Sequence, residues 1–182
     1  MTTTTTDIES RLFIDGEFAE SSDGATFESL NPASGAVLSN VAHATSADVD
    51  RAVATARRAQ PQWADAPLAE RARVLRKTAE LIEANVDELS VLESRDAGKP
   101  ISDCRAQVAG TAQWFDFFAD VSTHLRSDVI PSAPDHLNYT LRQPMGVVAT
   151  ITQWNYRLPL YGIKLPAAIA VGNSGVLKPG EH

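Results

Sequence analysis

Val147-Val148-Ala149-Thr150-Ile151-Thr152-Gln153-Trp154-Asn155 and Ser174-Gly175-Val176-Leu177-Lys178-Pro179-Gly180-Glu181 are the two stretches whose reading decides the fold. The first opens with a β-branched run suited to a strand covered on both faces. The second reads as a shorter strand. Between them lie a loop from Gln153 to Pro159, a helical stretch to about Val171 and a Gly172-Asn173 turn. Strand, helix and strand in this order form a βαβ unit, whose two strands lie parallel. Ligands of open parallel sheets bind beyond the carboxyl ends of the strands. The connection therefore brings Asn155, Lys178 and Glu181 toward one edge. An amide can donate N–H to a developing oxyanion. A lysine supplies a compact positive charge for ribose and phosphates, and a carboxylate accepts from ribose hydroxyls. On spacing alone, polar strand ends are also ordinary solvent-facing groups, and both readings stay open.

Working outward, Leu137, Tyr139 and Leu141 alternate with polar residues and read as a half-exposed strand. Upstream of Pro131 three helical patterns appear. Ser46 is a candidate N-cap, with Asp48 and Asp50 in the first turn and Val49, Ala52, Val53 and Ala56 on one face. Pro61 and Pro67 bracket the break that follows. Leu68, Ala72, Leu75, Ala79 and Ile82 form the next stripe, and Asn85 with Glu88 reads as a capping box that restarts the helix. Gly98 and Pro100 stop it. The third pattern begins at Ser102 and aligns Val108, Ala112, Phe115, Ala119 and Leu125; Trp114, Phe117 and Phe118 widen its apolar face as further core. Nearer the start, Asp15-Gly16 between Leu12-Phe13-Ile14 and Glu17-Phe18 is a hairpin signal. Thr26–Leu30 and Ala36–Val41 read as two more strands around the turn Asn31-Pro32-Ala33-Ser34-Gly35. Residues 1–8 are polar and without periodicity, and are expected to be disordered.

Composition excludes several classes. The 182 residues carry 16 Lys+Arg against 23 Asp+Glu, a net charge of −7, which argues against a nucleic-acid partner. A single cysteine, Cys104, excludes a disulfide scaffold. It lies at a helix start beside Asp103 and reads as an ordinary small residue. The apolar run before Leu177 is broken by Pro166, Gly172 and Asn173, so no membrane span is expected. The threonine-rich start lacks a basic region and an apolar segment, so no secretory signal is expected and the address is cytoplasmic. His43, His124, His136 and His182 show no metal-ligand spacing, so no metal is expected.

These motifs together resemble the NAD(P)-dependent aldehyde dehydrogenase superfamily. The resemblance is carried by Pro144-Met145-Gly146-Val147-Val148, Trp154-Asn155, Lys164-Leu165-Pro166-Ala167-Ala168, Gly172-Asn173 and Leu177-Lys178-Pro179-Gly180-Glu181. Ile14-Asp15-Gly16-Glu17, Asn31 to Gly35 and Gly98-Lys99-Pro100 resemble the same family's opening segments in the same order, so it spans about residues 12–182. It implies an α/β fold, the N-terminal part of an aldehyde dehydrogenase with an incomplete Rossmann-type parallel sheet. The implied division is a tail over 1–8, hairpins and helices of the cofactor domain over 9–136, a subunit-contact strand over 137–143, and the start of the βαβ sheet over 144–182. In this family a cysteine thiolate attacks an aldehyde, an asparagine amide helps hold the oxyanion, and hydride passes to the nicotinamide. A glutamate-activated water then releases the acid.

By this resemblance Asn155 is the catalytic asparagine. Ile151, Thr152, Trp154, Asn155, Lys178 and Glu181 line the cofactor site, with Lys178 and Glu181 at the adenosine ribose. Glu181 tilts the choice toward NAD, with NADP possible. A weaker likeness around Arg95 to Pro100 points to amino-aldehyde and betaine-aldehyde members. The chain departs from the family at Gln153, usually proline, and at Arg157, usually small or proline; Arg157 is expected to place a charge near the cleft. The family's cysteine and general-base glutamate fall beyond residue 182. The chain is thus expected to be an N-terminal part, inactive alone, partnered by an aldehyde, a complementing C-terminal segment and further copies in a homo-oligomer. The alternative is a non-catalytic nucleotide-binding or subunit-contact fragment.

Overall fold

The computed structural model describes residues 8–180; the tail expected over 1–8 lies, apart from Ile8, outside them. Two antiparallel hairpins open the chain, β1 (Leu12–Ile14) with β2 (Glu17–Ala19) and β3 (Thr26–Leu30) with β4 (Val37–Ala42). In the first, Asp15 and Gly16 both take positive φ, the backbone that a two-residue turn matched to strand twist requires. Four helices follow: α1 (Ser46–Asp65), α2 (Leu68–Ala84), α3 (Val86–Ala97) and α4 (Ile101–Ser122). A small ribbon pairs β5 (Val129–Ile130) with β6 (Asn138–Tyr139). The chain then forms β7 (Val147–Ile151), α5 (Arg157–Ala170) and β8 (Ser174–Lys178).

β7 and β8 pair in parallel, from Val147 opposite Ser174 to Ile151 opposite Lys178. Their faces are covered by different helices. Ser174 Oγ donates to the Ala56 carbonyl of α1, whereas Gly175, the next residue, lies under the Leu165 side chain of α5. Alternation along a strand therefore puts α1 and α5 on opposite sides of the pair. Behind α5, the core gathers Ala72, Leu75 and Ala79 of α2 with Ala112, Phe115 and Ala119 of α4 and Ala170 of α5. Its alanines let helix axes come close. The tightest approach is at Gly162, where a Cβ would stand 2.8 Å from Thr111 Cγ2 and 3.1 Å from the Thr111 carbonyl oxygen.

Side-chain bonds tie the layers together. Gln60 and Trp63 of α1 donate to the carbonyls of Gly172 and Ile169, and Arg71 of α2 donates to those of Ala64, Ala66 and Ala170. Asn173 is buried, accepts from the Gly146 N–H and donates to the Ala168 carbonyl, which fixes the turn against the start of β7.

Several expectations are corrected. Pro61 lies inside α1 rather than at a break; the helix runs through it because Gln60 and Trp63 anchor both flanks to the end of α5. The N-cap of α1 is Thr45, not Ser46, in a reciprocal box with Asp48. Asn85 precedes α3, but its side chain donates back to the Leu81 carbonyl and makes no capping box. α4 ends at Ser122, leaving Leu125 exposed. Trp114 and Phe117 are exposed at 38% and 51%, since Val108, Ala112, Phe115 and Ala119 already fill the inner face of α4. With Phe118 they form a surface aromatic cluster, ring centroids 5.1–6.1 Å apart. The strand around 137–141 is reduced to Asn138–Tyr139, and Leu137, Tyr139 and Leu141 are all exposed. β7 is not covered on both faces: Thr150 is buried, but Ala149 and Ile151 on the α1 side are exposed.

The α1 cap is also a tertiary contact. Asp48 accepts from the N–H groups of Thr45 and Ser22 and from both of their hydroxyls. These bonds to the charged form hold its pKa at about 2, below the ordinary 3.8. A depressed folded pKa gives stabilisation that is complete above the ordinary value and is lost as pH falls toward 2. Acid denaturation of the parent chain should therefore show a component in that window that is missing from Asp48→Asn. Thr45→Ala should cost about 1 kcal/mol in urea melts at neutral pH.

Candidate functional site

The carboxyl ends of β7 and β8 meet closely. The Thr152 N–H donates to the Lys178 carbonyl at 3.1 Å, extending the parallel ladder by one rung. Two residues on, Gly180 lies against the backbone of the neighbouring loop: a Cβ there would stand 2.7 Å from both N and Cα of Trp154. Only a residue without a side chain permits that approach. This glycine draws the two strand ends together.

Around this junction the candidate residues take different positions. Ile151 and Lys178 are register partners, and both are exposed. Thr152 is buried, while Trp154 and Asn155 are exposed in the loop before α5. The Asn155 amide makes no hydrogen bond among the described residues, so its N–H groups can be donated to a ligand. Glu181 lies outside the described residues. The geometry thus gathers Ile151, Thr152, Trp154, Asn155 and Lys178 at one edge of a parallel pair.

The sequence reading overlooked the residues that support this edge. Lys164 Nζ donates to the Ile151 carbonyl at 2.7 Å, bonding the last ladder oxygen of β7 from the side of α5. Its signal was the one charge in the otherwise uncharged run from Leu158 to Ala170. Tyr161 lies beneath the loop; burial pushes its hydroxyl pKa up, opposed by the Thr152 hydroxyl and the Arg157 charge. Thr152 Oγ1 is buried without a hydrogen bond of regular geometry. Its neighbour within the fold is the Tyr161 hydroxyl, the same contact that opposes the rise of the tyrosine pKa.

Arg157 corrects an expectation. Its charge does not project into the cleft: the side chain is only 16% exposed and forms an ion pair with Asp96 at the end of α3. Asp96 also accepts from Ser29 Oγ. Cys104 is fully buried, and desolvation pushes its thiol pKa up, the reverse of what a nucleophile needs. No group of three His, Cys, Asp or Glu able to hold a metal occurs among the described residues. No helix among them is long and apolar enough to cross a membrane.

The junction predicts its own sensitivity. Gly180→Ala should push the two strand ends apart and lower stability by about 1–3 kcal/mol. In a background with Trp63 and Trp114 replaced by phenylalanine, the emission of Trp154 should shift at the same time, whereas Gly110→Ala, at a site with open space around it, should leave it unmoved.

Comparison with known proteins places this edge in context. The sequence model of the aldehyde dehydrogenase family matches residues 18–182. The crystal structure of PnpE in complex with nicotinamide adenine dinucleotide superposes with a TM-score of 0.92 at 41% identity, over 94% of this chain and 36% of that one. A putative aldehyde dehydrogenase from Burkholderia cenocepacia gives 0.91 at 46% identity, over 93% and 35%. A betaine aldehyde dehydrogenase from Staphylococcus aureus, solved with NAD+, gives 0.92 at 33%, over 95% and 35%. The chain spans about a third of the length of these relatives. With the family match running through the βαβ unit to the last residue, the chain belongs to the aldehyde dehydrogenase family.

Proposed function

We propose that these residues form the oxyanion and dinucleotide-ribose part of an NAD(P)-dependent aldehyde dehydrogenase, an enzyme oxidising an aldehyde to a carboxylic acid. The observation that carries this is the junction of β7 and β8, which sets a lysine and an amide with no hydrogen bond among the described residues on one edge. NAD, with NADP possible, fits the donor set. Ile151 and Trp154 offer exposed apolar surface, and Lys178 a cation beside them. When bound, the nicotinamide group accepts a hydride.

Each residue has a definite task in that reaction. Asn155 donates an amide N–H to the aldehyde oxygen as a thiolate adds to its carbon and negative charge collects there. The bond strengthens as the charge grows, so it favours the transition state over the bound aldehyde. Lys164 does not touch substrate; by holding the Ile151 carbonyl it keeps the strand end, and with it the loop, in place. Lys178 holds the ribose through N–H donation, and Glu181 is proposed to accept from the ribose hydroxyls. The thiolate is assigned to the family's cysteine in the part of the relatives that this chain does not span, because Cys104 is buried and its thiol is raised.

Homo-oligomers and a complementing C-terminal segment are proposed as partners. The β5–β6 ribbon and its flanks support a contact role, since Val129 and Tyr139 within it and Leu137 and Leu141 beside it expose apolar surface that costs free energy in water.

The reaction is tested by NADH formation from an aldehyde in a chain that includes the cysteine-bearing domain. Asn155→Ala should lower kcat by about 10²–10³ with little change in KM for NAD. Unchanged turnover would remove the oxyanion role. Lys178→Ala should instead raise the KM for the dinucleotide.

A further inference from the structure

The loop that carries Asn155 is followed at once by two residues gripped from outside the βαβ unit. Arg157 pairs with Asp96, the two side chains being 16% and 24% exposed, and Ser29 Oγ donates to Asp96 at 2.8 Å. The ring of Tyr156 has the Lys99 ammonium 5.6 Å from its centroid. Lys99 is itself held by Glu93, which is 8% exposed, and by Gln107 Oε1 at 2.7 Å. Glu93, Asp96 and Lys99 all belong to one short stretch, the end of α3 and the residue that follows its Gly98 cap. That stretch is fixed too: Gly98 takes φ +68, and a Cβ there would stand 2.7 Å from Pro32 Cγ.

The loop needs such a grip. Gln153 opens it without the φ restriction that a proline would impose, and Asn155 itself is exposed and makes no hydrogen bond among the described residues. A bonded, half-buried ion pair two residues beyond Asn155 removes part of the freedom that Gln153 leaves. We infer that Asp96 and Arg157, aided by Lys99 against Tyr156, are positioning residues that set the Asn155 amide toward the crevice. None of the three touches the aldehyde; each acts through the loop. This rests on the oxyanion reading of Asn155 only for its catalytic consequence, while the grip on the loop stands on geometry alone.

Two measurements separate these parts. In this chain, amide hydrogen exchange across residues 156–160, where the Leu160 N–H donates to the Tyr156 carbonyl, should rise about tenfold in both Asp96→Asn and Arg157→Gln, while β7 changes little. The exchanged pair, Asp96→Arg with Arg157→Asp, should restore protection, which a general loss of packing would not allow. If Arg157→Gln does not fold, Lys99→Leu carries the same expectation at the ring of Tyr156. Unchanged exchange at this junction of loop and helix overturns the inference. In a chain that includes the cysteine-bearing domain, Arg157→Gln should lower kcat about tenfold with KM for NAD held. Because Arg157 acts through Asn155, that loss should vanish in an Asn155→Ala background. A loss that persists there undiminished overturns the positioning role. If Asn155→Ala alone leaves kcat unchanged, the oxyanion reading fails, and the exchange data still decide whether the grip exists.

Discussion

The closeness of two parallel strand ends governs this molecule. One backbone bond, from the Thr152 N–H to the Lys178 carbonyl, and one side-chain-free contact, Gly180 on Trp154, hold the carboxyl ends of β7 and β8 together. A two-stranded parallel pair is weak by itself, so it persists here through what covers it. α1 reaches it with a carbonyl for Ser174, α5 with Leu165 over Gly175 and with Lys164 on the Ile151 carbonyl. α2 then ties both helices by a single guanidinium that takes carbonyls from Ala64, Ala66 and Ala170.

The helical layer explains why so polar an edge can be kept in place. Its core is built largely from alanine, with Leu75 and Phe115 as the large members. Close helix approach makes up for the small side chains, since dispersion is gained through contact rather than through bulk. At Gly162 and Thr111 that approach leaves no room for a methyl group. The same economy leaves other apolar groups outside. Trp114 and Phe117 on α4, and the residues of the β5–β6 ribbon, face solvent in this chain, which spans about a third of the length of its relatives.

Electrostatics at the site is local. Arg157, which could have placed a cation beside a bound aldehyde, is turned toward Asp96, so the crevice keeps Lys178 as its basic group among the candidate residues. Half-buried pairs of this kind contribute more to the choice of one geometry than to net stability. Here the geometry chosen is that of the loop between a strand and a helix, the part of the unit with the fewest backbone constraints of its own.

The sequence by itself determined the order and type of nearly all the elements. Hairpin chemistry at Asp15-Gly16, stripes of apolar residues at helical spacing, the Gly98 stop and the parallel βαβ unit all depend on neighbours within a few positions. So does the ordered set of motifs that assigns the family. Tertiary structure decided what such local signals cannot carry. It ran α1 through Pro61, because residues 169 and 172 anchor its last turns, and it took Asn85 away from capping by offering the Leu81 carbonyl. It sent Trp114 and Phe117 to the surface, because the helical stripe is wider than the groove it fills. At the site, residue types and edge were legible from the motifs, whereas Lys164, Tyr161 and the partner of Arg157 were not. Those depend on which helix lies over which strand, a relation among residues dozens of positions apart that no local pattern encodes.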